Sequence, residues 1–505
     1  MLDLPQRAYA DLIKRVKDSS LLNSCAELLA WDERTYMPHN GSAHRAEQMA
    51  LLARMAHEMT TAPEVGELLT ALENSELVKE GDSVPAANVR EIRRSYDRAV
   101  KLPKELVEEL ARITTRAQQI WQEARARDDF AAFQPWLEKI IKLKRQEAEA
   151  IGYKQAPYDA LLDAYEPGAT TAEITKVFAD LRAELVPLIS AILASGRKAP
   201  RQLLERDYPV DRQEKFGQAV AAQIGFSFEA GRLDVTTHPF CSGMGPGDCR
   251  ITTRYNPRRF NDAFFGILHE AGHGIYEQGL DPEHFGTPAG SAASLGMHES
   301  QSRLWENQVG RSRPFWQHFF PRAQQTFPES LGDATVDNFY FAVNDVRPSF
   351  IRVEADEATY NLHIILRFEL EQALLNGDLK AADVSGVWNE KFEQSFQLRP
   401  QTDVQGCLQD IHWSMGDLGY FPTYTLGNLY AAQFMEQARH DLGEPEGDFR
   451  QGEFQRLKGW LHDKIHRVGH RYPAPELCRR VTGRPLSHKP LMTYLRNKYA
   501  PLYGL

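Results

Sequence analysis

The segment that most constrains the fold spans residues 268–274, where two histidines stand four positions apart within an apolar run. Residues four apart lie on the same face of an α-helix. His269 and His273 can therefore reach one metal ion if the segment is helical, and Glu270 between them can face a water on that metal. The sequence thus predicts a helix with two imidazoles and a carboxylate beside one ion.

The residues around this segment favour a buried helix. Asn256 followed by Pro257 is typical of a helix start, and Gly279 is typical of a helix end. Apolar residues recur at helical spacing between these positions. The pattern is the H-E-x-x-H motif of zinc peptidases, in which the metal polarises water and the glutamate accepts its proton. The alternative is a core helix whose histidines are only hydrogen-bonded.

A catalytic zinc takes three protein ligands, so a third is needed beyond the two histidines. Glu277 lies on the same helix face, but a helix rises about 6 Å over four residues, and three ligands spread over eight residues cannot converge on one ion. The H-E-x-x-H-x-x-G-x-x-H arrangement is excluded, because Tyr276 and Gly279 stand at its glycine and third-histidine positions. The third ligand must come from another segment.

Glu299 is the preferred third ligand. It falls in a second helical stretch, residues 292–309, which can lie against the first helix. Glu283, in the proline- and glycine-rich connection, and Glu306, two turns further along, are weaker candidates. The alternative for Glu299 is a surface glutamate paired with Arg303.

Helical periodicity dominates the amino-terminal part of the chain, and no fixed repeat is visible. No linker or low-complexity run divides the sequence. We therefore expect a mainly α, helical-bundle-like protein that forms one domain over residues 1–505, with a helical half at about 1–230 and a metal-site half at about 231–505.

Two β-type runs precede the metal helix, at residues 233–240 and 249–255, and glycines separate them. They predict a small β-ribbon, either a hairpin or two short strands. The edge of such a ribbon can pair with an extended peptide, or the ribbon can serve as a stabilising flap.

Charge and cysteine content exclude several classes of protein. The net charge of −10 argues against a nucleic-acid partner, because phosphate binding needs an excess of lysine and arginine. The five cysteines lack a C-x-x-C pair and indicate reduced thiols; Cys241 and Cys249 could meet across a turn, with a disulfide the weaker expectation. The sequence opens without a leader pattern and has no bilayer-spanning stretch, so we expect a cytoplasmic protein that binds no membrane.

An exopeptidase also needs a group that recognises a chain end. Arg352 is a candidate, because a guanidinium suits two-point binding of a terminal carboxylate. Arg352 could instead pair with Asp356 four residues on, and Arg347 is a rival. His412 and Tyr420 are donor types that stabilise a tetrahedral oxyanion, although each could equally be a core residue.

Several motifs in order along the chain resemble those of the carboxypeptidase Taq family of metallocarboxypeptidases. The corners that begin at Trp31 and Tyr158 are also similar to family sequence, so the resemblance covers nearly the whole length. The motifs are His238-Pro239-Phe240, Asp248-Cys249-Arg250-Ile251-Thr252-Thr253, the zinc motif from His269 to His273, His298-Glu299-Ser300-Gln301, Ile351-Arg352-Val353-Glu354-Ala355-Asp356 and the run from Gly406 to Trp413.

The resemblance implies a mostly helical fold with a deep active-site groove, similar to neurolysin and angiotensin-converting enzyme, and a homodimer. It implies one zinc ion, replaceable by cobalt, held by His269, His273 and Glu299, with Glu270 as the general base. It also implies removal of single residues from peptides with a free carboxyl terminus, with broad specificity and poor cleavage next to proline.

The substrate-binding residues expected from these arguments are Arg352, His412, Tyr420 and, in the first motif, His238. Two other functions stay open. A zinc oligopeptidase would cut within short peptides and would lack the carboxylate clamp. A noncatalytic helical protein with a structural zinc would not need Glu270.

Overall fold

The computed structural model describes residues 4–505. The expectation that the sequence opens without a leader pattern falls partly on residues 1–3, which lie outside the described residues. Most of the described chain is helical, and this confirms the mainly α prediction. In chain order the helices are α1 (Leu4–Thr35), α2 (Ser42–Thr61), α3 (Pro63–Glu73), α4 (Val84–Lys101), α5 (Lys104–Arg127), α6 (Phe130–Ile151), α7 (Pro157–Leu162), α8 (Thr171–Ala194) and α9 (Val210–Ile224), followed after the strands by α10 (Phe260–Gly279), α11 (Leu295–Arg303), α12 (Arg313–Thr326), α13 (Pro328–Leu331), α14 (Val336–Val343), α15 (Tyr360–Asn376), α16 (Val384–Phe396), α17 (His412–Met415), α18 (Pro422–Leu442), α19 (Glu446–Gln451), α20 (Gln455–Lys464), α21 (Ala474–Thr482) and α22 (Lys489–Tyr503).

The described β-structure is a three-stranded sheet of β1 (Gly231–Val235), β2 (Cys241–Gly245) and β3 (Asp248–Thr253), in the order β1-β3-β2. β1 runs parallel to β3, and β2 runs antiparallel to β3. A small β-element before the metal helix is thus confirmed, but the two predicted runs are wrong in detail.

The error lies in Gly243 and Gly245, which were interpreted as part of a turn and in fact lie in β2, whereas Gly247 lies in the turn that follows. A β-carbon on Gly243 would stand 2.5 Å from the Oε2 atom of Glu277 on α10. Glycine here allows the strand to approach the helix closely, which is a packing role that a glycine within a strand can serve. Cys241 and Cys249 do meet on this sheet, with their sulfur atoms 3.5 Å apart, and both are free thiols.

The chain forms two compact units, and each is assembled from several sequence segments. Unit 1 comprises Met1–Ala99, Ala199–Val343 and Tyr430–Pro485, and unit 2 comprises Val100–Lys198, Asn344–Leu429 and Leu486–Leu505. Each unit therefore draws on both the 1–230 and the 231–505 parts of the sequence. A single domain over the whole chain stays a prediction.

The core of unit 1 is built around α10. Its first two turns bury aromatic side chains, with the ring centres of Phe260 and Phe264 5.0 Å apart and Phe264 5.2 Å from Trp316. Stacked and tilted aromatic pairs of this kind add to the burial of apolar area. Helix α10 also packs against α9, α11, β2 and β3. The metal-binding motif is thereby held on a rigid, buried helix.

Helix α10 begins at Phe260, three residues after the predicted proline start. The side-chain oxygen of Asn256 accepts a hydrogen bond from the backbone N–H of Arg258 at 2.9 Å. Asn256 therefore closes a turn of its own before the helix instead of capping it. The predicted end at Gly279 is confirmed.

Unit 2 is organised around α15, of which almost every side chain is buried. This helix packs against α6, α7, α8 and α16. Two of its buried residues, Arg367 and Glu371, are charged and stand one turn apart. None of the described helices is both long and apolar enough to cross a membrane.

Candidate active site

Three side chains of unit 1 converge on one point between α10 and α11. The Nε2 atoms of His269 and His273 lie 3.6 Å and 3.3 Å from Oε2 of Glu299. The ligand atoms of all three residues lie within 4.8 Å of one another. The prediction of Glu299 as the partner of the two histidines therefore agrees with the geometry.

The close approach of α10 and α11 depends on a glycine inside the motif. A β-carbon on Gly272 would stand 2.7 Å from the carbonyl oxygen of Gln301. Any larger residue would push α11 away and carry Glu299 with it. At the start of α11, the Ser294 side chain accepts from the backbone N–H of Met297 at 2.9 Å, which is an N-cap.

The donor set fits a divalent metal ion. Ligands bonded to a tetrahedral zinc at about 2.0–2.1 Å stand about 3.3 Å apart, close to both histidine–carboxylate separations. Two imidazole nitrogens and one carboxylate oxygen are a usual set for catalytic zinc. The residues present therefore suit such an ion, with room for a further ligand.

Glu306 bonds the far side of His269, with its Oε2 atom 3.0 Å from Nδ1. This contact holds the proton on Nδ1 and leaves Nε2 free to bind a metal. Arg303 donates to Glu299 at 2.7 Å and to Glu306 at 3.1 Å, so it links the two carboxylates. Glu299 combines features of both predictions made for it. It pairs with Arg303, and it is buried beside the two histidines.

Sequence reasoning treated Glu306 only as a weak ligand candidate. It lies in the π-helical segment Leu304–Val309, which follows α11 directly. A π-helical turn holds an extra residue compared with an α-helical turn, and such turns are frequent at functional sites. The sequence offers no clear signal for this departure from regular α-helix, so the contact with His269 was missed.

His298 and Glu277 form a second hydrogen-bonded pair beside the histidines, with His298 Nε2 2.8 Å from Glu277 Oε1. The ring of His298 stacks on that of His273, with centres 4.4 Å apart. Glu277 lies outside the converging group of His269, His273 and Glu299, and it orients the ring that packs on His273.

The charges at the site are set by burial and by these contacts. Burial lowers the pKa of His273 to about 3, with the charge of His298 adding to the effect. Burial alone would raise the pKa of Glu306, but Arg303 and the bond to His269 lower it to about 2. His273 is therefore neutral and Glu306 ionised at neutral pH, as metal binding requires.

Glu270 is buried in the same pocket as the two histidines that flank it. Burial raises the pKa of its carboxyl to about 7, although the charge of His269 acts in the opposite direction. A carboxyl in this position has the proton affinity of a general base that works near neutral pH.

Arg352 lies in unit 2 and is buried in a cluster of charged groups. Its Nε and Nη2 atoms donate to the Oδ1 atom of Asp410 at 3.0 Å and 2.8 Å. Arg367 donates to the other oxygen of Asp410 at 2.7 Å. The alternative pairing of Arg352 with Asp356 is wrong, because Asp356 accepts instead from backbone N–H groups and Thr359.

The rival Arg347 is half-exposed and lies 3.6 Å from Asp345. Burial alone would raise the pKa of Asp410, but the charges of Arg367 and Arg352 lower it well below the usual range. The three-member cluster of two arginines and Asp410 thus carries one excess positive charge in a buried place.

His412 and Tyr420 also lie in unit 2, with ring centres 5.4 Å apart. The Nδ1 atom of His412 is 4.0 Å from Oδ1 of Asp410. Burial lowers the pKa of His412 to about 4, and Arg352 adds to this effect. His412 is therefore a neutral imidazole at neutral pH, able to donate one hydrogen bond.

His238 is exposed on the connection between β1 and β2 in unit 1. Its role in substrate binding stays a prediction.

Comparison with known proteins agrees with this fold. A model of the carboxypeptidase Taq (M32) metallopeptidase family matches residues 11–499. Thermostable carboxypeptidase 1 of Thermus thermophilus is 48% identical over 509 residues, covering 99% of this chain and 100% of that protein. Carboxypeptidase 1 of Bacillus subtilis is 38% identical over 501 residues, covering 99% of each.

Solved structures give the same result. The M32 carboxypeptidase from Deinococcus radiodurans has a TM-score of 0.95 and 40% identity, covering 99% of this chain and 100% of that one. The Pyrococcus furiosus carboxypeptidase has a TM-score of 0.94 and 36% identity, covering 99% of each chain. The fold and these matches define a helical metallopeptidase. The chain belongs to the carboxypeptidase Taq (M32) family, and the resemblance seen in the sequence is confirmed.

Proposed function

We propose that the protein is a zinc-dependent metallocarboxypeptidase that releases single residues from the carboxyl ends of peptides with broad specificity. The observation that carries the metal assignment is the convergence of His269, His273 and Glu299. Zinc is the ion proposed, because its tetrahedral geometry suits two imidazoles and one carboxylate. Cobalt is expected to substitute for it.

A bound zinc ion would polarise the scissile carbonyl and acidify a water molecule. Glu270 accepts the proton of the attacking water at its carboxylate and later delivers it to the leaving amine. The buried surroundings of this carboxyl exclude competing solvent and keep its proton affinity high. Glu306 and Arg303 hold His269 and Glu299 in their orientations through the whole cycle.

Arg352 is proposed to bind the terminal carboxylate of the substrate. Its cluster with Arg367 and Asp410 has one positive charge more than it can neutralise internally. A buried excess charge is costly, and an incoming carboxylate removes that cost. Recognition of the chain end is what separates an exopeptidase from an oligopeptidase.

His412 and Tyr420 are proposed to donate hydrogen bonds to the oxyanion that forms as water attacks. A neutral imidazole and a phenol are suitable donors in a largely buried place. His238 is proposed as a further contact to the substrate. The outer strand β2 has no further strand partner among the described residues, and we propose that an extended peptide pairs with its edge.

We further propose a cytoplasmic homodimer. The five free cysteines support a reducing compartment. The homodimer rests on the family resemblance, and light scattering coupled to size-exclusion chromatography tests it.

Mass spectrometry of a peptide digested by the zinc-loaded protein tests the central proposal. The expected product series shortens one residue at a time from the carboxyl end, and it disappears when a chelator is added. Internal fragments that form equally fast from free-acid and amidated peptides would instead establish a zinc oligopeptidase. Zinc binding without any cleavage would establish the noncatalytic alternative.

A further inference from the structure

Glu371 is a fully buried carboxylate in the middle of α15. Its Oε2 atom accepts a hydrogen bond from the phenol of Tyr158 at 2.7 Å and from the backbone N–H of Gly419 at 3.1 Å. Its Oε1 atom accepts from the indole N–H of Trp413 at 2.9 Å. Within the described residues no basic side chain forms an ion pair with it, so three hydrogen bonds alone hold this carboxylate.

Two of these donors lie on the segment that carries the proposed oxyanion donors. Trp413 follows His412 directly, and Gly419 precedes Tyr420 directly. One turn earlier on α15, Arg367 holds Asp410 at the start of the same segment. Helix α15 therefore contacts residues 410–419 at both ends. The guanidinium of Arg367 bonds Asp410 at one end, and the carboxylate of Glu371 accepts from Gly419 at the other.

The corner that begins at Tyr158 supports the same segment from another side. A β-carbon on Gly419 would stand 2.9 Å from the backbone of Leu161, and Gly419 has a φ of +95°. Glycine is needed here both for the close approach to α7 and for the left-handed backbone. The ring of Tyr165 packs edge-on against that of Tyr420, with centres 5.3 Å apart.

We propose that Glu371 is a positioning residue for the reaction, which joins the Tyr158 corner to the segment of residues 412–420 and thereby fixes His412 and Tyr420 in their donor orientations. This inference rests on the proposed function of those two residues. It gives a role in the reaction to the tyrosine-led corner, which the sequence distinguished only by its similarity to family sequence.

The free-energy cost of burying Glu371 indicates that its three hydrogen bonds are needed. A buried carboxyl without a cation is costly, and burial raises the pKa of Glu371 to about 7. Replacing it by an apolar residue would leave three buried donors unsatisfied, which costs more than the loss of one ordinary hydrogen bond. The same three bonds restrict the loop that follows α17.

Glu371→Gln tests the proposal, because glutamine has nearly the same shape but cannot accept at both ends of its side chain. We expect kcat for a free-acid peptide to fall about tenfold, with little change in KM and an unchanged zinc affinity, because an oxyanion donor acts in the transition state. Trp413→Phe, which removes one donor and keeps a ring, should also lower kcat. Combined with Glu371→Gln, it should add little, because both changes loosen the same carboxylate anchor.

Glu184→Gln serves as the control, since Glu184 also lies in unit 2 but bonds His488 and Arg496. It should leave kcat unchanged in folded enzyme. A folded Glu371→Gln enzyme with the parent kcat, or losses from Trp413→Phe and Glu371→Gln that simply add, would overturn the positioning role. If the parent protein itself produces no carboxyl-terminal ladder, the proposed function fails first, and that outcome is distinct.

Discussion

The metal-binding region of unit 1 and the arginine-rich region of unit 2 reach their functional geometry in different ways. In unit 1, two ligands stand one helical turn apart on α10, and the third comes from the next helix, α11. In unit 2, Arg352 meets Asp410 across 58 positions of sequence, and Tyr158 meets Glu371 across 213. The first arrangement follows from local periodicity, whereas the second depends on how distant segments pack.

This difference has a consequence for substitution. A change in the unit 1 site should alter metal binding or proton transfer directly, because each side chain has a defined chemical task there. A change in unit 2 should act on recognition of the chain end or on stabilisation of the oxyanion, because its charges and donors are held by shared contacts. The following four experiments test that division.

The largest effect is expected for Glu270→Gln. The amide cannot accept the water's proton, so kcat should fall by about 10²–10⁴-fold while zinc stays bound. Metal content by mass spectrometry and turnover on a free-acid peptide measure the two properties on the same sample. Activity above about one-tenth of the parent value would contradict the assignment of Glu270 as base.

Arg352→Ala should come next, with kcat/KM for free-acid peptides reduced by about 100-fold and amidated peptides little affected. Asp410 keeps its contact with Arg367, so the variant should fold. Arg347→Ala is the matched control, because that guanidinium is half-exposed and only loosely paired. An equal loss on both peptide types would show that Arg352 does not read the terminal carboxylate.

Glu306→Gln should weaken zinc binding by about 10–100-fold, the usual effect of losing a carboxylate that orients a metal-bound histidine. Competition with a chelator of known affinity measures the change. Glu329→Gln removes an exposed partner of Arg212 in the same unit and should leave the affinity unaltered. If the two variants bind zinc alike, Glu306 does not orient His269, and the comparison of the two units loses its clearest support.

The smallest effect concerns pH and the stability of unit 2. Burial raises the pKa of Glu371 from its ordinary 4.5 to about 7, so the folded protein holds this proton over a range where the unfolded chain has lost it. Folding stability should therefore fall as pH rises from about 4.5 to 7, by about 1–3 kcal/mol relative to Glu371→Gln.

Thermal unfolding midpoints of both proteins across this range measure the difference. Tyr158, Trp413, Gly419 and Asp417 are the groups that face Glu371, and among them Asp417 raises its pKa further. Parallel curves for the two proteins would contradict the assignment of this titration to Glu371.

Much of the site could be predicted from the sequence because helical spacing alone specifies it. His269, His273 and the choice of Glu299 over Glu277 all followed from the rise and periodicity of an α-helix. The identity of the partner of Arg352 could not be predicted in this way, since the nearest carboxylate in sequence, Asp356, bonds backbone N–H groups instead.

The sheet and the start of α10 show a second reason why the prediction and the structure differ. Gly243 was interpreted as a turn residue, yet it lies within β2, where a β-carbon would approach the carboxylate of Glu277 on α10. Asn256 was interpreted as a helix cap, yet its side chain closes a separate turn. In both cases a residue suited to two local roles received the one that tertiary packing allowed.

The π-helical segment after α11 makes the metal centre sensitive to chain length. Each residue turns an α-helix by about 100°, and a π-helical turn stores one residue beyond the α-helical count. Deleting Leu304 or Trp305 would turn Glu306 by about 100° around the helix axis and carry it away from His269. Protein engineers who shorten this helix for rigidity would thus lower its affinity for metal, even with every ligand intact.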